Sequence, residues 1–395
     1  MMCCEKIQDA PKFVLYSLVA FIVLPTLSPQ ETASPPLYYV IPLIFPAIFT
    51  FLSNRKYKTD RSIIFLMLFC IIAFLASILS NYNTSVTNVF KLCIYTFIYV
   101  VFTSFSFSVS DFRKVVFSYV FISCLIAVLI ILSYIYGYPH TESNYFLGRY
   151  SIGITGLYKN PNYLTAFINV AFFLVLYYIL NSDSSLRKRF LLIAIIALFI
   201  VSEYLSGTRA ALLTAGIITV LCMFISKHNG ARKRVLFIVL LIFIVLLLYH
   251  EDIIALIDYF VGKRDIADDR GREIAWNIAF SIIEDNPFLG NGPGCWSNFA
   301  QVGGIDYLHN IYLEIILDTG IIGFLVFICI YLFHVYIVPK TDLSFVLVFM
   351  FATSFPLIFQ NGTYEANLWR CLIINRIVIE LSIRTRGFTN KFIFN

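Results

Sequence analysis

The chain has 395 residues, of which 59% are hydrophobic and 13% are charged. Soluble domains are about 45–50% apolar and about 25% charged, so this composition excludes an ordinary soluble domain and predicts a membrane protein. The net charge of +6 lies mostly in short connectors between apolar runs, which indicates membrane topology and argues against nucleic-acid binding.

Apolar runs long enough to cross a membrane recur along the whole chain. A helix needs about 17–25 mostly apolar residues to span the hydrocarbon core. The runs predict an all-α polytopic membrane protein with about 12 transmembrane helices, forming one transmembrane domain over residues 1–395. The predicted spans lie near residues 13–28, 36–53, 62–80, 88–107, 115–137, 162–181, 190–205, 209–226, 235–250, 310–338, 343–360 and 371–385.

The connectors between these spans differ in charge from one side of the membrane to the other. One alternating set, together with the two chain ends, holds 19 Lys and Arg residues, whereas the opposite set holds 8. Basic residues are enriched in the cytoplasmic loops of membrane proteins. The sequence therefore predicts that both termini are cytoplasmic and that the less basic connectors face the outer side.

The first outer-face motif precedes the sixth span. Asn160 as N-cap and Pro161 at the first helical position are typical of a helix start. Two interpretations of the neighbouring Lys159 and Asn162 stay open. They are structural residues of the helix start, which we favour, or they contact an anionic or sugar ligand.

The second motif is the short turn Ser206-Gly207-Thr208-Arg209 between two spans. The turn places Arg209 at the outer start of the eighth span, where unpaired N–H groups and the helix dipole favour an anion. A guanidinium adds a planar fork that matches phosphate oxygens. The alternative is that Arg209 only snorkels to the membrane interface. Against this alternative, Arg209 lies on the predicted outer face, which otherwise carries few basic residues.

The connector 251–309 is far longer than any other, and such connectors tend to carry function. Its apolar residues recur at helical spacing and predict an amphipathic helix near 271–285 along the membrane surface, ended by Asn286-Pro287. Arg272 and Trp276 lie one turn apart on this helix. Arg272 is either an interfacial anchor or a ligand for an anion, and Trp276 beside it is a candidate substrate contact.

His309 and Asn310 open the tenth span, which continues through Glu314 to Gly320 and Gly323. The two glycines lie on one face of the helix and permit close approach of a neighbouring helix. This span is longer than the ~30 Å hydrocarbon core requires, so its first turns can stand out of the lipid. An imidazole can accept the proton of a sugar hydroxyl, although a single interfacial histidine is more often only an amphipathic residue. The intramembrane carboxylate of Glu314 either contacts substrate or bonds to a neighbouring helix. Asn310 is a further candidate substrate contact.

The outer-face motifs stand in order and on one side of the membrane. They are Asn160-Pro161-Asn162, Ser206-Gly207-Thr208-Arg209, Arg272 with Trp276 and the glycine-rich turn of 286–294, and His309-Asn310 with Gly320 and Gly323. Together, over about residues 150–330, they resemble the O-antigen ligase and O-antigen polymerase superfamily of bacterial envelope glycan assembly.

The resemblance implies a GT-C-type, metal-independent glycosyltransferase in the bacterial inner membrane, with a periplasmic active site and an undecaprenyl-diphosphate-linked glycan as donor. It implies that Arg209 and Arg272 hold the diphosphate and that His309 activates the acceptor hydroxyl. Arg270 is close to Arg272, and which of the two binds the diphosphate stays open. Two arginines can stabilise the charge of a departing diphosphate in place of a metal ion. No Cys/His cluster occurs, so neither a metal nor another cofactor is expected.

The favoured activity is that of a ligase, which moves the finished glycan onto lipid A-core in lipopolysaccharide biosynthesis, because His309-Asn310 with both glycines fits the ligase pattern. The alternative is a polymerase, whose acceptor is a second lipid-linked repeat unit and whose partner is a chain-length regulator. A lipid flippase or transporter is a third hypothesis. It predicts midplane binding groups and broken helices in paired repeats, and the sequence shows no internal repeat.

Overall fold

The structure is a computed structural model. It describes residues 10–27, 46–49, 61–141, 149–155, 160–182, 185–226, 266–299, 308–360, 366–385 and 388. The predicted span near 235–250, most of the span near 36–53, and Lys159 lie outside the described residues.

The described residues are mostly helical, as the sequence predicts. The α-helices are α1 (Lys12–Leu27), α2 (Arg61–Leu79), α3 (Val86–Thr103), α4 (Val109–Ile135), α5 (Pro161–Asn181), α6 (Leu186–Leu205), α7 (Arg209–Ile225), α8 (Ile266–Asp285), α9 (Ile311–Ile337), α10 (Leu343–Ser354) and α11 (Ala366–Thr385). Short 3-10 helices cover Gly153–Thr155, Cys295–Asn298 and Phe355–Phe359. Two short strands, β1 (Pro139–Thr141) and β2 (Arg149–Tyr150), pair antiparallel.

Five of the described helices are long and apolar enough to cross a membrane, namely α2, α3, α4, α5 and α9. Helices α1, α7 and α10 with its 3-10 extension are shorter apolar segments. Ten of the twelve predicted spans coincide with a described helix. The class of helical membrane protein is therefore confirmed, while the number of about twelve spans stays a prediction.

The chain folds into two compact units, each built from segments that are separate in sequence. Unit 1 comprises Met1–Tyr119 with Arg272–Thr389, and unit 2 comprises Val120–Gly271 with Asn390–Asn395. The division falls within α4 and within α8.

Helix α11 is the polar helix of the unit 1 interior, where it packs against α1, α3, α9 and α10. The Arg370 guanidinium donates to the Ile22 carbonyl at 3.2 Å and to Asn367 Oδ1 at 2.9 Å. Glu380 pairs with Arg384 one turn later. Charged groups inside a membrane bundle are stable only when paired in this way. The eight basic residues predicted for the outer connectors included Arg370, which is wrong, because Arg370 lies within α11 and is 3% exposed.

In unit 2, α5 packs between α6 and α7 and is buried along most of its length. The buried Asn169 side chain donates from Nδ2 to the Ala211 carbonyl of α7 at 3.3 Å. This contact joins the two helices whose N-terminal ends carry the motifs of Asn160 and Arg209.

Candidate functional site

The turn before α7 carries Arg209 at the position that its sequence predicts. Gly207 has a φ of 62°, a conformation that favours glycine, and reverses the chain after α6. Ser206 Oγ donates to the Glu203 carbonyl at 2.6 Å and lies 3.0 Å from Thr208 Oγ1, which stabilises the turn. Arg209 is the first residue of α7 and is half-buried.

The Arg209 guanidinium makes no hydrogen bond or ion pair with any residue in the described part of the chain. Thr208, the N-cap residue, makes no side-chain capping bond there either. The first N–H groups of a helix and a nearby guanidinium both attract anions. The turn can therefore accept an anionic group such as a phosphate.

Arg149, a residue of β2 that the sequence motifs did not include, contacts this turn. Its Nε donates to the Ser206 carbonyl at 3.4 Å, and its Nη2 donates to Asn162 Oδ1 at 3.1 Å. Its aliphatic stem lies against Gly207, where an added Cβ would be 3.0 Å from Arg149 Cγ. Arg149 therefore ties the start of α5 to the turn that carries Arg209. The sidedness that singled out Arg209 applies equally to Arg149, and could have found it.

The start of α5 has the predicted structure. Asn160 is the N-cap and its Oδ1 accepts from the Asn162 N–H at 2.9 Å, while Pro161 is the first helical residue. The Asn162 side chain is a partner of Arg149. Its predicted contact with substrate stays a prediction, as does that of Lys159.

Glu203 is a second titratable residue of unit 2 that lay outside the sequence motifs. It lies in the last turn of α6 and is 0% exposed. Neither carboxyl oxygen has a hydrogen-bond partner among the described residues. An ionisable side chain inside a membrane protein is a functional candidate by default.

In unit 1, the predicted helix of the long connector is α8, which begins at Ile266, five residues earlier than predicted, and ends at Asp285 as expected. One face of α8 packs onto the loop after it and onto the start of α9. The buried residues of this hydrophobic cluster are Ala275, Ala279, Ile282, Cys295, Trp296, Leu308, Leu313 and Leu317. The amphipathic pattern is thus satisfied by protein contacts. Arg270 and Arg272 lie on α8, and their side chains are outside the described residues.

The segment around His309 is fixed by its two chain neighbours. The Trp276 indole Nε1 donates to the Leu308 carbonyl at 3.0 Å. Asn310 is the N-cap of α9, and its Oδ1 accepts from the Tyr312 and Leu313 N–H groups, both at 3.1 Å. Between them His309 is half-buried and has a φ of 54°.

Acidic residues follow along α9. Glu314 is half-buried one turn after Asn310, and Asp318 is 1% exposed. The Cys295 thiol donates to Asp318 Oδ1 at 3.5 Å. Burial, reinforced by this carboxylate, raises the pKa of Cys295. No group of three or more His, Cys, Asp or Glu side chains that could hold a metal ion occurs among the described residues.

Helix α9 is broken at Gly320, which has a φ of 64° and a ψ of −175°. Backbone groups of residues 287–292, which we call the keystone loop, replace the hydrogen bonds that the break removes. The four bonds are Asn291 N–H to Leu317 O at 2.9 Å, Gly292 N–H to Asp318 O at 2.9 Å, Ile321 N–H to Pro287 O at 2.9 Å and Ile322 N–H to Phe288 O at 3.2 Å. The loop therefore caps both halves of α9.

Two glycines permit this close approach. A Cβ on Gly290 or on Gly320 would collide with the backbone of the opposite segment. The sequence predicted close approach at Gly320 and Gly323 by a neighbouring helix. At Gly320 the approaching segment is instead the keystone loop. At Gly323 the nearest group from another helix is the Ile72 side chain of α2, 3.4 Å from an added Cβ.

The connection between α2 and α3 holds the keystone loop and the residues next to it from the other side. Ser80 Oγ donates to the Asn291 carbonyl at 2.5 Å, and the Ser85 N–H donates to the Pro293 carbonyl at 2.8 Å. The Tyr82 hydroxyl donates to Asp285 Oδ2 at 2.6 Å, and this bond raises the pKa of Tyr82 to about 12. The sequence did not predict these contacts, because the first 150 residues matched the superfamily only as membrane helices.

A search of curated proteins found no match to the chain. A model of the O-antigen ligase family matches residues 194–328. This range contains the turn of Arg209, all of α8, the keystone loop, His309 and the break in α9. The match confirms, over residues 194–328, the resemblance to the O-antigen ligase and polymerase superfamily.

Proposed function

We propose that the protein is a membrane glycosyltransferase that moves a glycan from undecaprenyl diphosphate to a sugar hydroxyl on the periplasmic face of the inner membrane. The observation that carries this proposal is the family match over residues 194–328, because that segment contains Arg209, Arg272 and His309 in order. The favoured acceptor is lipid A-core, which makes the protein an O-antigen ligase.

In the proposed reaction, the acceptor hydroxyl oxygen attacks the anomeric carbon of the donor glycan. The bond from that carbon to the diphosphate oxygen breaks, and the diphosphate leaves with the electron pair. The hydroxyl proton goes to the His309 imidazole, which acts as a general base. Arg209 and Arg272 stabilise the negative charge that grows on the leaving diphosphate.

The described geometry supports the donor half of this proposal in unit 2. Arg209 has no partner within the described residues, whereas the guanidinium of Arg149 is held by Ser206 and Asn162. One arginine is thus available to bind an anion and the other fixes the turn that presents it. Arg272, with Arg270 as its close alternative, supplies the second diphosphate ligand in the proposal.

Three substitutions test the enzyme proposal in purified, reconstituted protein. Arg209→Ala and Arg272→Ala remove charge stabilisation, which is worth about 10²–10³ in rate for a single donor. His309→Ala removes a general base, which is worth about 10²–10⁴. Each is expected to abolish detectable transfer of the lipid-linked glycan that accumulates in a deletion strain. Lys114→Ala, an exposed residue that pairs with Asp111 on the same helix, is the control and is expected to retain transfer.

The outcomes separate the parts of the proposal. Near-normal transfer by His309→Ala would show that the base is another group. Near-normal transfer by all three variants would contradict the enzyme proposal itself. Insertion and purification yields must match those of Lys114→Ala, because only then does lost transfer report on chemistry rather than folding.

The polymerase is the close alternative, because it shares the donor, the leaving group and the chemistry. A deletion strain distinguishes the two activities. A ligase deletion accumulates polymerised glycan on undecaprenyl diphosphate beside bare core lipopolysaccharide. A polymerase deletion lacks polymerised glycan on the lipid carrier, and its protein would act with a chain-length regulator.

The break in α9 bears on the transporter hypothesis, because transporters bind substrates at the ends of broken helices. Here the N–H groups of Ile321 and Ile322 and the carbonyls of Leu317 and Asp318 are bonded to the keystone loop. These groups are therefore not available to a transported ion or headgroup. The break supports a structural role for the loop, and we favour the glycosyltransferase.

A further inference from the structure

We propose that Trp276 is a positioning residue for His309. Its indole N–H, bonded to the Leu308 carbonyl, holds the left-handed backbone conformation from which His309 presents its imidazole. This inference rests on the proposed function, in which His309 is the general base, and it changes the expected role of Trp276 from a substrate contact to a support for that base.

The backbone of His309 is strained. Among the described residues it is the single non-glycine residue with a positive φ. A Cβ clashes with the backbone in this region, so only a few per cent of non-glycine residues adopt it, with asparagine, aspartate and histidine the most frequent among them. Such conformations persist where the surrounding structure imposes them, and they cluster at functional sites. The structure must therefore contain contacts that impose the φ of His309.

The Trp276 hydrogen bond acts directly on this angle. The Leu308 carbonyl belongs to the peptide group between Leu308 and His309, and φ of His309 is the rotation of that planar group about the N–Cα bond. A donor that fixes the carbonyl oxygen therefore fixes φ. Leu308 itself is 2% exposed in the hydrophobic cluster, so its side chain holds the same peptide group.

Asn310 fixes the chain on the other side. Its side chain caps the N–H groups of Tyr312 and Leu313, and its carbonyl accepts from the Glu314 N–H at 2.9 Å. Asn310 is thereby bound to the first turn of α9. With Leu308 held by Trp276 and Asn310 held by α9, His309 has little freedom to relax to a negative φ.

The same helix links this support to the donor. Trp276 lies four residues after Arg272 on α8, a rise of about 6 Å along the axis. A displacement of α8 on donor binding would therefore reach the Leu308 carbonyl. The proposed diphosphate ligand therefore lies on the helix whose Trp276 bonds to the peptide group next to the proposed base.

Trp296 supplies a matched control. Both indoles contribute to the same hydrophobic cluster, and Trp296 is 9% exposed. The indole N–H of Trp296 has no partner among the described residues, whereas that of Trp276 donates to Leu308. A change to phenylalanine removes ring volume and an N–H at both positions, but it breaks a hydrogen bond only at Trp276.

The experiment compares Trp276→Phe with Trp296→Phe in the full-length protein in proteoliposomes. The donor is the lipid-linked glycan extracted from a deletion strain. Trp276→Phe is expected to lower kcat about tenfold to a hundredfold, because a small misplacement of a catalytic group has effects of this size. The KM for the donor is expected to stay unchanged, and Trp296→Phe is expected to leave both constants unchanged. Equal effects of the two variants, or a raised KM with unchanged kcat for Trp276→Phe, would overturn the inference.

A second measurement reports on the backbone around His309 and does not depend on enzyme activity. Hydrogen exchange of the peptide over 309–314 is expected to become faster in Trp276→Phe and to stay unchanged in Trp296→Phe. Glycine adopts a positive φ without strain, so adding Trp276→Phe to His309→Gly is expected to cause no further change in exchange. Should Trp276→Phe alone fail to purify, the double variant is expected to purify because the strain is relieved. Failure of both, or faster exchange in the double variant than in His309→Gly, would reject the support role.

These outcomes separate the inference from the proposed function. If His309→Ala retains transfer while the exchange results hold, the backbone support stands and the role of His309 as base is wrong. If His309→Ala abolishes transfer while Trp276→Phe behaves like Trp296→Phe, the proposed function stands and the positioning role is wrong.

Discussion

At the scale of single residues, Arg149 joins two motifs that are far apart in sequence. It bonds to Ser206 and to Asn162, and it packs on Gly207. Lysine carries the same charge but cannot reproduce the fork of the guanidinium. The arrangement therefore depends on arginine rather than on a positive charge.

We expect Arg149→Ala and Arg149→Lys both to weaken donor binding. Loss of a hydrogen bond to a charged group costs about 1.5–3 kcal/mol, which corresponds to a rise in donor KM of roughly tenfold to a hundredfold. The KM is measured in proteoliposomes with the lipid-linked donor. Arg189→Ala is the control, because that guanidinium donates to the Ser182 carbonyl at the opposite end of α6. A donor KM equal to that of the control would contradict the role of Arg149.

Sequence patterns within one helical turn predicted the structure around some site residues but not around others. The capping by Asn160 and the position of Arg209 at a helix start depend on residues within one turn, so the sequence predicted both. The positive φ of His309 depends on Trp276, 33 positions earlier, and the contacts of Arg149 reach residue 206. Such distant partners leave no periodic signal.

At the scale of elements, the keystone loop and the two halves of α9 form one structure. Hydropathy predicted a single continuous span near 310–338, because one glycine within an apolar run does not change the average. The glycine-rich turn was predicted as a turn, but its docking into a helix some thirty residues later was not. These hydrogen bonds join backbone atoms, and residue types do not reveal which backbone groups will pair.

We expect Gly320→Ala to displace the keystone loop. The new Cβ would collide with the Phe288 backbone, and the positive φ adds strain of about 1–3 kcal/mol. Cys295, which is fully buried and has a raised pKa, should then react faster with a maleimide at neutral pH because the thiol becomes exposed. Labelling of Cys295 is quantified by mass spectrometry.

Gly137→Ala is the control for this experiment. Gly137 also has a positive φ, of 70°, but an added Cβ there would meet nothing within 4 Å. It therefore introduces similar strain without a collision. Equal Cys295 labelling in the two variants would show that the close approach at Gly320 does not hold the loop.

At the scale of the whole molecule, the distribution of basic residues predicts the orientation in the membrane. With Arg370 assigned to α11, the 19 basic residues of one side against 7 of the other predict cytoplasmic termini and a periplasmic connector 251–309. A protease site inserted after Lys263 should be cleaved when protease is added to spheroplasts, and a site after Lys340 should stay intact. The reverse pattern would contradict both the orientation and a periplasmic site.

Composition and apolar run length determined the class of the molecule and most of its helices. They did not reveal that α11, which carries Arg370, Arg376 and Glu380, lies buried in unit 1. Averaged hydropathy treats a charged residue as a sign of the surface, whereas the Arg370 guanidinium is buried and bonded to Ile22 and Asn367. Packing in a membrane bundle depends on such pairings, and these become visible only with the neighbouring helices in place.

The break in α9 also constrains how the protein is made. A segment that enters lipid with unbonded peptide groups is penalised by several kcal/mol for each group. The residues that satisfy Leu317, Asp318, Ile321 and Ile322 precede α9 in the chain and emerge first from the ribosome. We therefore expect membrane integration of α9 to depend on prior synthesis of residues 287–292, which the order of translation provides.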